Sequence, residues 1–342
     1  MSHKNLSVKI KIPKFFRDKL KDKKINLIYK RFEKSLNINE NFAVAVSGGP
    51  DSLALAFLAK TYSLKRKINP KFFIVDHKLR PESTTEAKAV QKILRKVFIN
   101  LEILTWKGKK PKNNIQSIAR KIRYQLMNDR CDKYKIKSLL VGHHQDDLIE
   151  NFFIRMVRGS GLKGLVSMDK KSKINNMNIY RPLIDQKKDD LILVSKKIFD
   201  FYVRDPSNND EKFQRIRIRK LIEELRKDGL DRNKFLATIK NLKYSNNVIN
   251  FYVAENLKQN TFFSNKDKRL ILNKSFFLKS YEVVFRGLSD SLKKIGGKYY
   301  SVRGKKLEKM IYDIQNNRLF RATLGGCIVE KVNHTIIISK EG

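Results

Sequence analysis

The chain has 342 residues, enough for one large core or two modest ones. Its 75 Lys and Arg against 34 Asp and Glu leave a formal net charge of +41, which argues against an enzyme confined to small neutral metabolites and favours a polyanionic partner such as RNA or DNA. No apolar run is long enough to span a bilayer, no apolar segment follows the basic N-terminus as a signal peptide requires, and the distant Cys131 and Cys327 make no disulfide framework, zinc ribbon or cysteine-ligated cluster.

Those exclusions leave a cytoplasmic protein with no membrane partner as the expectation, although an acidic membrane surface is a rival for the charge. A genome rich in AT codons would also enrich Lys, Asn and Ile. Residues 1–40 form a basic N-terminal extension with a helix expected from about Lys14 to Leu36. Asp18, Asp22 and Glu33 make it a poor transit peptide. From Phe42 the pattern becomes regular. Short apolar runs at Phe42–Val46, Phe72–Val75, Leu101–Trp106 and Ser138–Val141 suit buried parallel strands. Helical stretches separate them: Ser83-Thr-Thr-Glu86 has the form of a capping box ahead of Ala87, Val90, Leu94 and Val97, and another helix spans about Ile115 to Tyr134. The alternation predicts a doubly wound α/β fold with a mainly parallel sheet over residues 41–220. Beyond Arg219 it stops. Residues 221–267 read as a helical segment with a Lys-rich face, and residues 268–342 as a small α+β C-terminal domain. The latter holds a helix on Leu307, Met310, Ile311 and Ile314 and a closing hairpin around Val332-Asn-His334.

One junction carries the clearest chemistry. Ala43-Val-Ala-Val-Ser-Gly-Gly-Pro-Asp-Ser52 runs straight into Leu53-Ala-Leu-Ala-Phe57, which reads as a strand, a tight turn and a helix N-terminus. Backbone amides and the helix dipole hold a phosphate in such a place. Gly48 and Gly49 allow close backbone approach, Ser47 and Ser52 offer hydroxyls, and Asp51 supplies a carboxylate for Mg²⁺. The Lys of a Walker A loop is missing, so the site is of another kind. In a doubly wound sheet ligands sit beyond the carboxyl ends of the strands, where Ser47–Ser52, Asp76-His77 and His143–Asp147 should converge.

Further along, Gly142-His-His-Gln-Asp-Asp-Leu-Ile-Glu-Asn151 enters a helix with Asp147 and Glu150 three apart on one face, fit to bind a cation, a metal or an ammonium, or to take a proton. No H-E-x-x-H spacing supports zinc there. Arg158-Gly-Ser-Gly-Leu-Lys-Gly164, with Arg158 and Lys163, suits a phosphate-contacting loop or a plain helix end. Arg120 and Arg123 share a helix with Tyr124 and offer planar forks to phosphate, or are exposed helix charges. Asp205-Pro-Ser-Asn-Asn-Asp210 is turn chemistry before the basic helical start Phe213-Gln-Arg-Ile-Arg-Ile-Arg219, which contains Arg215, Arg217 and Arg219.

The Ser-Gly-Gly-Pro-Asp-Ser loop resembles the signature of the PP-loop ATP pyrophosphatases. Together with Val75-Asp-His-Lys-Leu-Arg-Pro81, Ala119-Arg-Lys-Ile-Arg-Tyr124, Gly142–Asn151, Arg158–Gly164, Arg181-Pro-Leu183 and Asp205–Arg219, in that order over about residues 42 to 220, it resembles the tRNA(Ile)-lysidine synthetase family. Thr323-Leu-Gly-Gly-Cys327 resembles the close of the shorter members. Leu148, Asn151 and Ile216 depart from the family's usual Gln, Thr and Asn.

The resemblance implies that ATP adenylates the ring carbonyl of the wobble cytidine of an isoleucine tRNA with anticodon CAU. Free L-lysine then displaces AMP to give lysidine, and decoding changes from AUG to AUA. By matching positions it implies ATP binding at Ser47, Gly48, Gly49, Pro50, Asp51, Ser52, Asp76 and His77, with Mg²⁺ or proton handling at Asp51. It further implies Arg123 on the activated phosphate, lysine recognition at Asp147 and Glu150, and RNA contacts from Arg158, Lys163, Arg215, Arg217 and Arg219. With the charge excess, it leads us to expect that the N-terminal segment, the helical linker 221–267 and the C-terminal domain 268–342 hold the tRNA body. A tRNA thiolase of the same superfamily is the nearest rival, though sulfur transfer usually needs a reactive cysteine pair or a cluster. A catalytically inactive RNA-binding relative is the other. Oligomeric state is not set by the sequence.

Overall fold

The computed structural model describes residues 13–109, 111, 113–174, 176–203, 211–298 and 302–341, and the chain divides between Phe235 and Leu236 into two compact units. The first is built on β1 (Ala43–Val46), β2 (Lys71–Asp76), β3 (Leu101–Thr105), β4 (Ser138–Leu140), β5 (Lys171–Ile174) and β6 (Met177–Tyr180). They form one sheet in the order β3-β2-β1-β4-β6-β5. Neighbours run parallel except β5, which is antiparallel to β6 at the edge. The four apolar runs of the sequence are β1 to β4. The β5–β6 hairpin has no such run, because Lys171-Ser-Lys-Ile174 lies open at the sheet edge.

The two-residue period of the strands divides the core. Val44, Val46, Phe72 and Ile74 pack on one side with α3 (Pro50–Arg66), α4 (Ser83–Lys96) and α8 (Lys188–Phe199). Ala43, Phe73, Leu104 and Leu139 pack on the other against Met127 and Cys131 of α5 (Ile115–Lys133). Helices on both faces bury most of the parallel strands, as the α/β pattern predicts.

Two local expectations are corrected. The helix expected from Lys14 to Leu36 is broken into α1 (Lys14–Lys21) and α2 (Lys23–Ser35). Asp22 takes an extended backbone, and its carboxylate accepts from the amides of Lys24 and Ile25 to cap α2. It also pairs with Lys197 of α8. Nor does Ser83-Thr-Thr-Glu86 close a capping box. The Ser83 and Thr84 hydroxyls donate to Asp76 at 2.8 and 2.6 Å, and Glu86 pairs with Arg80 at 2.9 Å. A stronger acceptor across the turn has taken the hydroxyls.

The second unit contains most of α10 (Arg232–Asn260) and an antiparallel sheet in the order β7-β8-β11-β10-β9. Its strands are β7 (Thr261–Ser264), β8 (Arg269–Leu272), β9 (Arg321–Leu324), β10 (Cys327–Val332) and β11 (Thr335–Lys340). Against it pack α11 (Tyr281–Gly296) and α12 (Gly304–Gln315). Leu307, Met310, Ile311 and Ile314 are buried there with Leu272, Val329 and Ile338. The predicted hairpin is β10–β11, turning through Asn333 at φ 52°. Among the described residues no helix is long and apolar enough to cross a membrane.

Candidate active site

β1 ends at Val46 and α3 begins at Pro50, so Ser47, Gly48 and Gly49 make the whole turn. The Ser52 hydroxyl closes it, accepting from the Ser47 amide at 3.0 Å and the Ser47 hydroxyl at 3.2 Å and donating to the Gly49 carbonyl at 2.9 Å. Ser52 is therefore spent inside the loop. Gly48 sits at φ +84°, and a Cβ there would lie 2.8 Å from Val90 of α4. No side chain fits that position. Gly49 precedes the helix without a side-chain cap, which leaves first-turn amides of α3 to an outside anion.

The loop after β4 comes against this turn. A Cβ on Gly142 would stand 3.3 Å from the Asp51 carbonyl and the Ser52 amide, so only glycine allows so close an approach without displacement. Next, α6 (Gln145–Val157) opens with the capping box that was absent from α4. His144 Nδ1 accepts from the Asp146 amide at 3.2 Å, and the Asp147 carboxylate accepts from the His144 amide at 2.9 Å. This leaves His144 Nε2 between two carboxylates, 3.5 Å from Asp51 Oδ2 and 3.6 Å from Asp147 Oδ2. Burial alone would lower the His144 pKa. The hydrogen bond to Asp51 and the charges of Asp147, Asp51 and Asp146 outweigh it and raise the pKa. The adjacent His143 goes the other way, lowered to about 4 chiefly by burial.

One turn further in, Asp147 and Glu150 are almost wholly buried. Their partners come from α9 (Gln214–Lys227). Arg215 bonds Asp147 through Nη2 and Glu150 through Nε, the latter at 2.5 Å, and Arg219 Nε bonds Glu150 at 2.6 Å. Burial would raise the Asp147 pKa, but His144, Arg215 and His143 hold it below the usual carboxylate range. Asp146 is likewise paired, with Arg232 at 2.7 Å and Arg226 at 3.4 Å. Arg215 and Arg219, four apart, share the face that meets α6, whereas Arg217 turns back to the Glu211 and Lys212 carbonyls at 2.8 and 3.2 Å.

Asp76 spends its oxygens on Ser83, Thr84 and the Lys78 amide, which fixes the turn after β2. Burial would raise its pKa, but these hydrogen bonds lower it. His77 lies 3.5 Å from Arg123 Nε, and its pKa is lowered to about 4 by burial and by that guanidinium. Arg158 donates to Gln214 at 2.8 Å. Lys163 sits on the short helix α7 (Leu162–Leu165), beside the turn that follows α6. Asp205–Asp210 lies outside the described residues.

Three residues had no assigned role in the sequence: His144, Gly142 and Arg181. Arg181 is buried and donates to the Asp169 carbonyl and the Ser172 hydroxyl, both at 2.9 Å. A signal for the first two was present, since they lie in the loop that leaves β4 at the sheet's carboxyl edge.

The family profile of the PP-loop domain matches residues 19–225. The tRNA(Ile)-lysidine synthase of Orientia tsutsugamushi (strain Boryong) is 37% identical over 317 residues, 89% of this chain and 70% of that protein. That of Wolbachia sp. subsp. Brugia malayi (strain TRS) is 33% identical over 312 residues, 89% and 71% of the two chains. Among solved structures, the U34-tRNA thiolase NcsA from Methanococcus maripaludis superposes with a TM-score of 0.55 at 19% identity, covering 65% of this chain and 78% of that one. That likeness is one of fold.

Proposed function

This chain belongs to the tRNA(Ile)-lysidine synthase family, and we propose that it ligates free L-lysine to the wobble cytidine of an isoleucine tRNA with anticodon CAU, in two steps at the corner between β1 and β4. In the first, the ring carbonyl oxygen of cytidine attacks the α-phosphorus of ATP, the α–β anhydride breaks and pyrophosphate leaves. In the second, an amino nitrogen of lysine attacks the same ring carbon, the bond from that carbon to the oxygen carrying AMP breaks, and the nitrogen gives up a proton.

The Ser47–Ser52 turn and the first-turn amides of α3 receive the phosphates, and Arg123, which is exposed to solvent, reaches the charge that develops on the reacting one. Asp51 suits Mg²⁺, because its buried Oδ1 has no hydrogen-bond partner. No cluster of three His, Cys, Asp or Glu side chains offers a ready-made metal centre among the described residues, as fits an ion that keeps phosphate and water ligands and takes one carboxylate. Bound there, it would neutralise triphosphate charge.

Asp147 and Glu150 receive the lysine ammonium, and one of them takes its proton. Until lysine arrives, Arg215 holds both carboxylates in place and Arg219 holds Glu150. Exchanging one cation for another costs less than desolvating a bare carboxylate. Arg158, Lys163 and Arg217 contact RNA phosphates, with Arg215 and Arg219 joining them on release.

The observation that carries this reading is His144, whose Nε2 lies within 3.6 Å of both Asp51 and Asp147. It links the carboxylate of the nucleotide turn to that of the amine pocket, so the two steps share one electrostatic unit. The thiolase alternative loses ground on the thiols. Cys131 and Cys327 are both buried and free, and burial raises both pKa values, Cys131 to about 12.

The test is direct. The protein is incubated with ATP, labelled lysine and CAU-anticodon isoleucine tRNA, and lysine on the tRNA is measured beside AMP and pyrophosphate. Label on the tRNA in step with AMP is expected. Pyrophosphate release with no lysine on the tRNA would overturn the assignment.

A further inference from the structure

Four large apolar side chains on α10 stand in solvent: Tyr244, Val248, Phe251 and Tyr252, each more than half exposed. Their spacing puts them on one strip of the helix. The strip is not a core face left unpacked, because α10 seats itself through the opposite side. There Asn246 and Asn250 accept from Arg286 Nη1 at 2.7 and 3.0 Å, Val253 is buried, and Asn256 donates to the Phe276 carbonyl at 3.1 Å. Arg286 is itself only 3% exposed and fixes the helix's rotation within the second unit.

The make-up of the strip selects its partner. Three of its four side chains are rings, and Lys240 Nζ lies 5.6 Å from the Tyr244 ring centroid. Phe251 and Tyr252 stand edge to face, 5.5 Å apart at 78°. A helix seam against a second copy would place Leu, Ile and Val at these positions, and only Val248 qualifies. The helix carries Arg232, Lys234, Lys240, Lys243 and Lys258 against a single Glu255, and two chains of net charge +41 repel. Rings flanked by cations match a strand of nucleotides, whose bases stack and whose phosphates need neutralising.

We propose that Tyr244, Phe251 and Tyr252, with Lys240, form a stacking platform for unpaired bases of the tRNA, a contact to bases and not only to backbone charge. The proposal rests on the reading above that tRNA is the substrate.

The experiment measures binding of the isoleucine tRNA to the full-length protein over a salt series. Variants are Tyr244→Ala, Phe251→Ala, Tyr252→Ala, Phe251→Leu and Lys240→Ala, with ATP affinity and sedimentation measured alongside. Loss of each ring should weaken tRNA binding about five- to a hundredfold without altering ATP affinity or the slope of log Kd on log salt. Phe251→Leu should be as weak as Phe251→Ala, because it keeps apolar area and loses the ring. Lys240→Ala should instead shrink the salt slope by about one. Wild-type affinity in the ring variants, or full rescue by leucine, overturns the platform. So does a wild-type dimer that the ring variants dissolve while tRNA affinity holds. Failure of the parent reading looks different: tRNA binding that depends on the rings, with no lysidine formed, sinks the ligase assignment and leaves the platform standing.

Discussion

At the carboxyl edge of the first unit's sheet, Asp146, Asp147, Glu150 and His144 each have a fixed partner, and Asp147 and Glu150 are almost wholly buried. Along α10 in the second unit, Tyr244, Phe251 and Tyr252 stand open to water, with Lys240 beside the Tyr244 ring. The first region is organised by pairing, where one lost partner leaves a buried charge uncompensated. The second is organised by repetition, where each ring contributes its own share. Substitutions should therefore act steeply in the first and gradually in the second.

The steepest effect belongs to the carboxylates. Asp51→Ala should cut lysidine formation about a hundredfold or more and abolish ATP–pyrophosphate exchange. Asp147→Ala should be as damaging overall yet still adenylate the tRNA, so that AMP accumulates on RNA with no lysine joined to it. If both variants fail at the same step, the two carboxylates do not divide the reaction. Gly142→Ala comes next. The added methyl must displace the backbone at Asp51, 3.3 Å away, and should raise the KM for ATP about tenfold while tRNA affinity stays within a factor of two.

Arg215→Ala sharpens the comparison from another side. If its guanidinium only keeps the place of the ammonium, removal should lower the KM for lysine about three- to tenfold, because less of the site is held closed. A higher KM would make Arg215 part of the lysine site itself. The smallest effect is on stability against pH. Folded His143 takes its proton only near pH 4, against an ordinary value of 6.5. The unfolded chain thus binds the extra proton, and stability falls as pH drops from about 6.5 to about 4. His77 contributes in the same direction. His143→Gln should flatten that fall in part, read from denaturation midpoints at pH 7 and pH 5.

Much of this arrangement was legible in the chain. Short apolar runs marked β1 to β4 because strands covered on both faces need few polar residues. Asp147 and Glu150 were legible as a pair because three residues make nearly a helical turn. Less could be read where the partner lies far along the chain. Arg215 and Arg219 looked like free bases for RNA, since nothing local shows that α9 meets α6. Ser83 and Thr84 looked like a cap, and only the turn after β2 brings Asp76 within reach of their hydroxyls. His144 carried no role in the sequence, because nothing local shows that its ring caps α6 and faces Asp51.

The hinge at Asp22 has a practical consequence for anyone shortening this protein. Phe16, Ile25, Ile28, Tyr29 and Phe32 lie in the same core as α3, and burial of five such side chains contributes on the order of 10 kcal/mol, as much as the whole net stability of a typical domain. A fragment begun at residue 41 to isolate the nucleotide turn would bare the back of the helix that presents it. The two short helices therefore belong with the nucleotide turn in any fragment made to study it.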